Sequence, residues 1–111
     1  MKELDQEAGL AYAGEDEETY QEVLGIYVEM HEEMEMALKD ALAAEDCVAY
    51  RIAAHSVKSN SRSIGAAHVG SLAEELEHAA RDGMLDVLKQ KTPMLLTSYA
   101  TACSEAATLL E

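Results

Sequence analysis

The stretch EDEETYQEVLGIYVEMHEEMEMALKDALA, residues 15–43, decides the fold class. Tyr20, Leu24, Tyr27, His31, Met34, Leu38 and Ala41 follow one another in steps of three and four. That period belongs to one stripe of an amphipathic helix. Val23, Met30, Ala37 and Leu42 widen the stripe, while Glu22, Glu29, Glu32, Glu33 and Asp40 hold the opposite face. Asp16 is placed to cap the helix, and Glu17 and Glu18 stand where the helix dipole favours negative charge. A helix is therefore predicted over about 17–43.

Outward from this helix the chain continues in the same style. A short helix over about 3–12 fits before it, ending at Gly14. Asp46 is the next cap, and a helix over about 47–65 follows, closing near Gly65. A third long helix is predicted over about 67–81, stopped by Asp82-Gly83. Ser71 and Glu74 form a candidate capping box, S-x-x-E, that would start it later. The last helix is predicted over about 84–110. Pro93 is expected to kink it, because proline removes a backbone donor. Leu85, Leu88, Leu95, Leu96, Tyr99, Ala102, Cys103, Ala106 and Leu110 supply its buried side. Four long helices on short connections predict an all-α, antiparallel up-and-down four-helix bundle with a short extra N-terminal helix.

Composition agrees with that class and excludes several functions. With 111 residues there is room for one domain. Trp and Phe are absent and proline occurs once. Eight basic against 22 acidic residues leave a net charge of −14, which argues against nucleic-acid binding and against an anionic membrane surface. No apolar run is long enough to span a membrane and no signal peptide is evident. Cys47 and Cys103 lack metal spacing and read as reduced thiols of a cytoplasmic protein.

Three histidines carry no chemistry on this pattern. His31 lies on the apolar stripe, and HEEME lacks the second histidine of a zinc motif. Glu75 and His78 make one E-x-x-H, but a di-iron bundle needs two and further carboxylates. His68 and His78 are expected to be solvated. His55 differs. On a helical wheel of about 100° per residue, Tyr50, Ala53, Val57, Ser61 and Ile64 face away from it, toward the core. Arg51, Lys58 and Arg62 fall within about 60° of it, and Ser59 shares its face. Val48 and Ile52 also fall on that outward side, where two aliphatic residues together mark a contact surface. An exposed imidazole among cations and apolar residues suits a place where a protein docks and an anionic group is handed over.

The run HSVKSNSRSIGA, residues 55–66, resembles the signature of the histidine-containing phosphotransfer (HPt) domain, close to H-x-L-K-G-S-S-x-x-x-G-A. His55, Lys58, Ser61, Gly65 and Ala66 match, and Val57 replaces a leucine. YQEVLGIYVEM is similar to the family's preceding helix, and LAEELEHAARDG to the helix after the site. Ser59 stands where the family commonly has glycine. It is still small, and its hydroxyl could donate to a phosphoryl oxygen.

The resemblance implies phosphorelay signalling. His55 would accept a phosphoryl group from an aspartyl phosphate on a receiver domain and pass it to another response-regulator receiver. Lys58 would offset charge on the phosphoryl oxygens. Arg51 and Arg62 could share that task or pair with local glutamates. Val48, Ile52 and Ser59 would make the docking contacts, beside the exposed edge of the 17–43 helix, and Gly65 is carried with the site as a motif position. Partners would be receiver domains and a hybrid sensor histidine kinase, with the chain a monomer. No nucleotide loop is present, so no ATP-dependent autokinase activity, no metal and no cofactor of its own are expected, the Mg²⁺ belonging to the receiver. The alternative is a helical interaction module that binds or sequesters a receiver without transferring anything.

Overall fold

The computed structural model describes residues 2–111. It contains α1 (Gln6–Tyr12), α2 (Glu17–Ala43), α3 (Cys47–Ser63), α4 (Ala67–Arg81) and α5 (Leu85–Leu109), and no strand among the described residues. Each long helix packs on its neighbours in sequence, and α5 returns to α2, which closes the four-helix bundle. The short α1 lies across one end, touching α2 and α3.

Three aspartates start helices. Asp5 accepts from the Ala8 N–H at 3.1 Å, Asp16 from Glu18 at 3.1 Å and Asp46 from Ala49 at 3.0 Å. No side chain caps α4 or α5. The Ser71–Glu74 pair is not the start of α4: the helix is already formed from Ala67, with the Gly70 N–H donating to the Ala66 carbonyl at 3.0 Å. Buried Ala66 and Val69 hold this first turn against the core. Gly70 has a packing role. A Cβ there would come within 2.9 Å of the Arg62 stem, which lies over it.

Other boundaries move for identifiable reasons. Residues 3–5 are not helical; the Glu3 and Leu4 N–H groups donate to the Glu105 carboxylate, each at 3.0 Å. Helix α3 stops at Ser63, since Gly65 takes φ +89°. Helix α5 runs unbroken through Pro93 and ends at Leu109, so Leu110, expected to be buried, stands 38% exposed past the helix end.

The core takes the residues expected of it: Leu24, Tyr27 and Leu38 of α2, Tyr50 and Val57 of α3, and Leu88, Leu95 and Tyr99 of α5; Leu76 of α4 joins them. Tyrosine stands in for the missing Phe and Trp, and buried hydroxyls need partners. Tyr27 shares a hydrogen bond of 2.8 Å with Ser61, Tyr50 one of 2.7 Å with Thr92, and Tyr20 donates to the Ile64 carbonyl at 3.1 Å. His31 packs edge-on against Tyr99 with centroids 4.6 Å apart. Among the described residues no helix is long and apolar enough to cross a membrane.

The α3–α4 turn is pinned by the segment before α1. The Asp5 N–H donates to the Gly65 carbonyl at 2.9 Å, and a Cβ on Gly65 would lie 2.0 Å from the Asp5 carbonyl oxygen. Gly83 also has positive φ, but a Cβ there meets nothing within 4 Å. Gly83→Ala should therefore cost only the left-handed backbone penalty, roughly 1 kcal/mol, and Gly65→Ala distinctly more, about 2 kcal/mol or above. Urea unfolding midpoints check this; equal shifts for the two variants would contradict it.

Candidate functional site

Helix α3 buries Tyr50, Ala53, Ala54, Val57 and Ser61, and this turns His55 outward, with its side chain 59% exposed. The neighbouring helix reaches it. Glu77 of α4 accepts a hydrogen bond from His55 Nδ1 on Oε2 at 2.8 Å, and its Oε1 lies 2.7 Å from Lys58 Nζ. Lys58 stands three residues after His55, so one carboxylate bridges two groups on the same face of α3. Glu77 and Lys58 are both largely buried, at 15% and 17% exposure.

The protonation pattern follows. Burial works against charge on Glu77, but the bonds from Lys58 and His55 and the charges behind them outweigh it, and the carboxyl lies below the ordinary glutamate range. An ionised carboxylate can only accept, so His55 must donate from Nδ1. The neutral ring then carries its proton on Nδ1 and keeps a lone pair on Nε2, the nitrogen further from the backbone. What the arrangement presents is an exposed nucleophilic nitrogen whose opposite edge rests on a fixed negative charge.

A surface depression of about 380 Å³ lies beside the ring, lined by Arg51, Ile52, His55, Ser56 and Glu77. Val48 and Ile52 are 62% and 60% exposed on the same helix, and Ser59 is exposed one turn past His55. Arg51, Ile52 and Lys58 are thus gathered at His55, with Val48 and Ser59 on the flanking turns. Two residues are not. Arg62 pairs with Glu74, the next rung of the α3–α4 contact. Gly65 lies ten residues on, about 15 Å along the helix direction, buried in the turn beneath Asp5. Its place is structural.

Glu77 is the residue the sequence reading missed. A signal for it existed: Lys58 and Arg62 before the turn mirror Glu77 and Glu74 after it, and folding the chain back at Gly65 sets each base opposite an acid. The remaining histidines stay out of any such site. His68 and His78 are exposed, though His68 bonds Glu3 at 2.9 Å, and Glu75 pairs with Lys91. Among the described residues no three His, Cys, Asp or Glu side chains converge as metal ligands, and Cys47 and Cys103 are free thiols.

Comparison with known proteins bears on this geometry. A family model described as "Hpt domain" matches residues 22–109. Among solved structures, the crystal structure of histidine-containing phosphotransfer protein B (HptB) from Pseudomonas aeruginosa PAO1 superposes with a TM-score of 0.85 at 28% identity, covering 96% of this chain and 92% of that one. No curated protein matches the chain.

The Glu77 contact makes a spectroscopic prediction. In the neutral ring the proton should sit on Nδ1, and Glu77→Ala should move it toward Nε2, since nothing then holds the Nδ1–H form. Nitrogen-15 shifts of the neutral His55 ring report the tautomer. Identical tautomer populations in both proteins would rule the contact out as an orienting bond.

Proposed function

The chain belongs to the Hpt domain family, and on that footing we propose that it carries a phosphoryl group on His55 between receiver domains. At the level of the family it is a histidine phosphotransfer domain of two-component phosphorelays, interacting with receivers and kinases. The observation that supports His55 as the carrier is its ring: an exposed side chain held at Nδ1 by a carboxylate, which leaves Nε2 as the nitrogen with the lone pair.

The step balances without a proton transfer. The Nε2 lone pair attacks the phosphorus of a receiver's aspartyl phosphate. A P–N bond forms, the P–O bond to the aspartyl carboxyl breaks, and its electron pair leaves on the carboxylate. The Nδ1 proton stays where it is. The ring becomes cationic, and Glu77 lies 2.8 Å away to balance that charge. In reverse, an incoming receiver carboxylate attacks the same phosphorus and the neutral imidazole leaves. Both directions use one geometry, as a relay needs. The Mg²⁺ and most of the stabilisation of the transferring group belong to the receiver in this reading.

Docking falls to the same face. Val48 and Ile52 are large apolar side chains left in water beside the acceptor, and burying them against a receiver would recover roughly 1.5–3 kcal/mol each. The acceptor is expected to fail first in a direct test. Mixed with a phosphorylated receiver, wild-type protein should gain an acid-labile, alkali-stable phosphate and His55→Gln none. Label on His55→Gln at wild-type level would overturn the proposal, and no label on either would leave a binding module. Ile52→Glu should retain the thermal midpoint and lower the rate of transfer from the receiver about tenfold or more, a charge being forced into an apolar contact. An unchanged rate would remove Ile52 from the interface.

A further inference from the structure

We propose that Arg51 is the side chain that receives the phosphoryl oxygens once His55 is modified, while Lys58 stays with Glu77. This rests on His55 being the carrier. The chain has eight basic residues against a net charge of −14. Six are committed to carboxylates: Lys39 to Glu35, Lys58 to Glu77, Arg62 to Glu74, Arg81 to Asp82, Lys89 to Glu45 and Lys91 to Glu75. The others are Lys2 and Arg51. Lys2 lines a separate cavity with Leu4, Glu105 and Leu109. Arg51 lines the depression beside His55, one helical turn before it, and forms no ion pair among the described residues.

Each alternative cation is costly to recruit. Lys58 would have to leave a carboxylate 2.7 Å away. That would strand a largely buried charge and remove the partner that shares Glu77 with the Nδ1–H edge. Lys58 also does not line the depression. Arg62 faces the same problem at Glu74. Arg51 leaves nothing behind. Its guanidinium is a planar fork that can take two phosphoryl oxygens together, which a point-like ammonium cannot. Because Nδ1 faces Glu77, a group on Nε2 lies on the opposite edge of the ring, away from the Glu77–Lys58 pair. Two cations then have separate tasks: Lys58 keeps Glu77 ionised and in place, and Arg51 waits for the phosphate.

The experiment removes the receiver, so that docking cannot enter. Phosphoramidate serves as the donor: its P–N bond breaks, ammonia leaves with the pair, and the phosphoryl goes to Nε2. Phosphorus-31 NMR against pH then gives the midpoint at which the phosphoryl group itself passes from monoanion to dianion. Arg51→Gln should raise that midpoint by about one unit, because a nearby cation favours the dianion. Arg51→Lys should restore part of it, and Lys58→Gln should move it less than Arg51→Gln does. A midpoint unmoved in Arg51→Gln, or moved further in Lys58→Gln, overturns the assignment while His55 remains the carrier. Absence of phosphohistidine on wild-type protein, with phosphoramidate and with a phosphorylated receiver alike, sinks both.

Discussion

The bridge made by Glu77 is the interaction on which the site depends. One carboxylate on α4 holds a ring and an ammonium on α3, at 2.8 and 2.7 Å. Exposed ion pairs contribute little, commonly below about 1 kcal/mol. This one is different in kind because Glu77 and Lys58 are mostly covered, so neither can leave without cost. Its value is orientation. An imidazole on a surface helix has two tautomers and a freely turning ring. A carboxylate on Nδ1 chooses one tautomer and aims Nε2 at solvent, and it does so before any partner arrives.

Charge elsewhere on the molecule makes that arrangement stand out. With 22 acids to eight bases, nearly every cation finds a carboxylate, and most acids remain unpaired at the surface. Such a field repels anions in general. Under the proposed function a phosphoryl group would still have to be received somewhere, and the depression beside His55 is where a base is left uncommitted among the described residues. In the proposed function a receiver bringing its own phosphate would be admitted at one place, where Val48 and Ile52 are exposed apolar side chains.

How much of this was legible beforehand divides along physical lines. Helix positions were legible because burial imposes a period of 3.6, and Tyr20, Leu24, Tyr27 and Leu38 kept it. His55 was legible because the same period puts it opposite Tyr50 and Val57. Termini were less so. Leu110 looks like a core residue until the helix ends one position earlier, and Ser71 looks like a cap until buried Ala66 and Val69 start α4 sooner. Local preference loses to packing at such places. Glu77 escaped for another reason. Its meaning is not in its own helix but in which residue α3 sets against it, and that register is a property of two helices together.

That register is fixed at the far end of the hairpin. On α3 a shift of one residue rotates a side chain by about 100°, so a slip at the turn would carry Glu77 off His55 altogether. The turn is accordingly over-determined. Tyr20 donates to the Ile64 carbonyl, the Asp5 N–H to the Gly65 carbonyl, and the Ala66 N–H to the Ser61 carbonyl at 2.8 Å. Gly9 packs so close to Ile64 that a Cβ would lie 2.4 Å from its carbonyl oxygen. The segment before α1 is itself tied to α5 through Glu105. The small N-terminal helix, remote from the chemistry, thus acts as a clamp on the turn. Through two rigid helices, the clamp sets a carboxylate against an imidazole about three turns away.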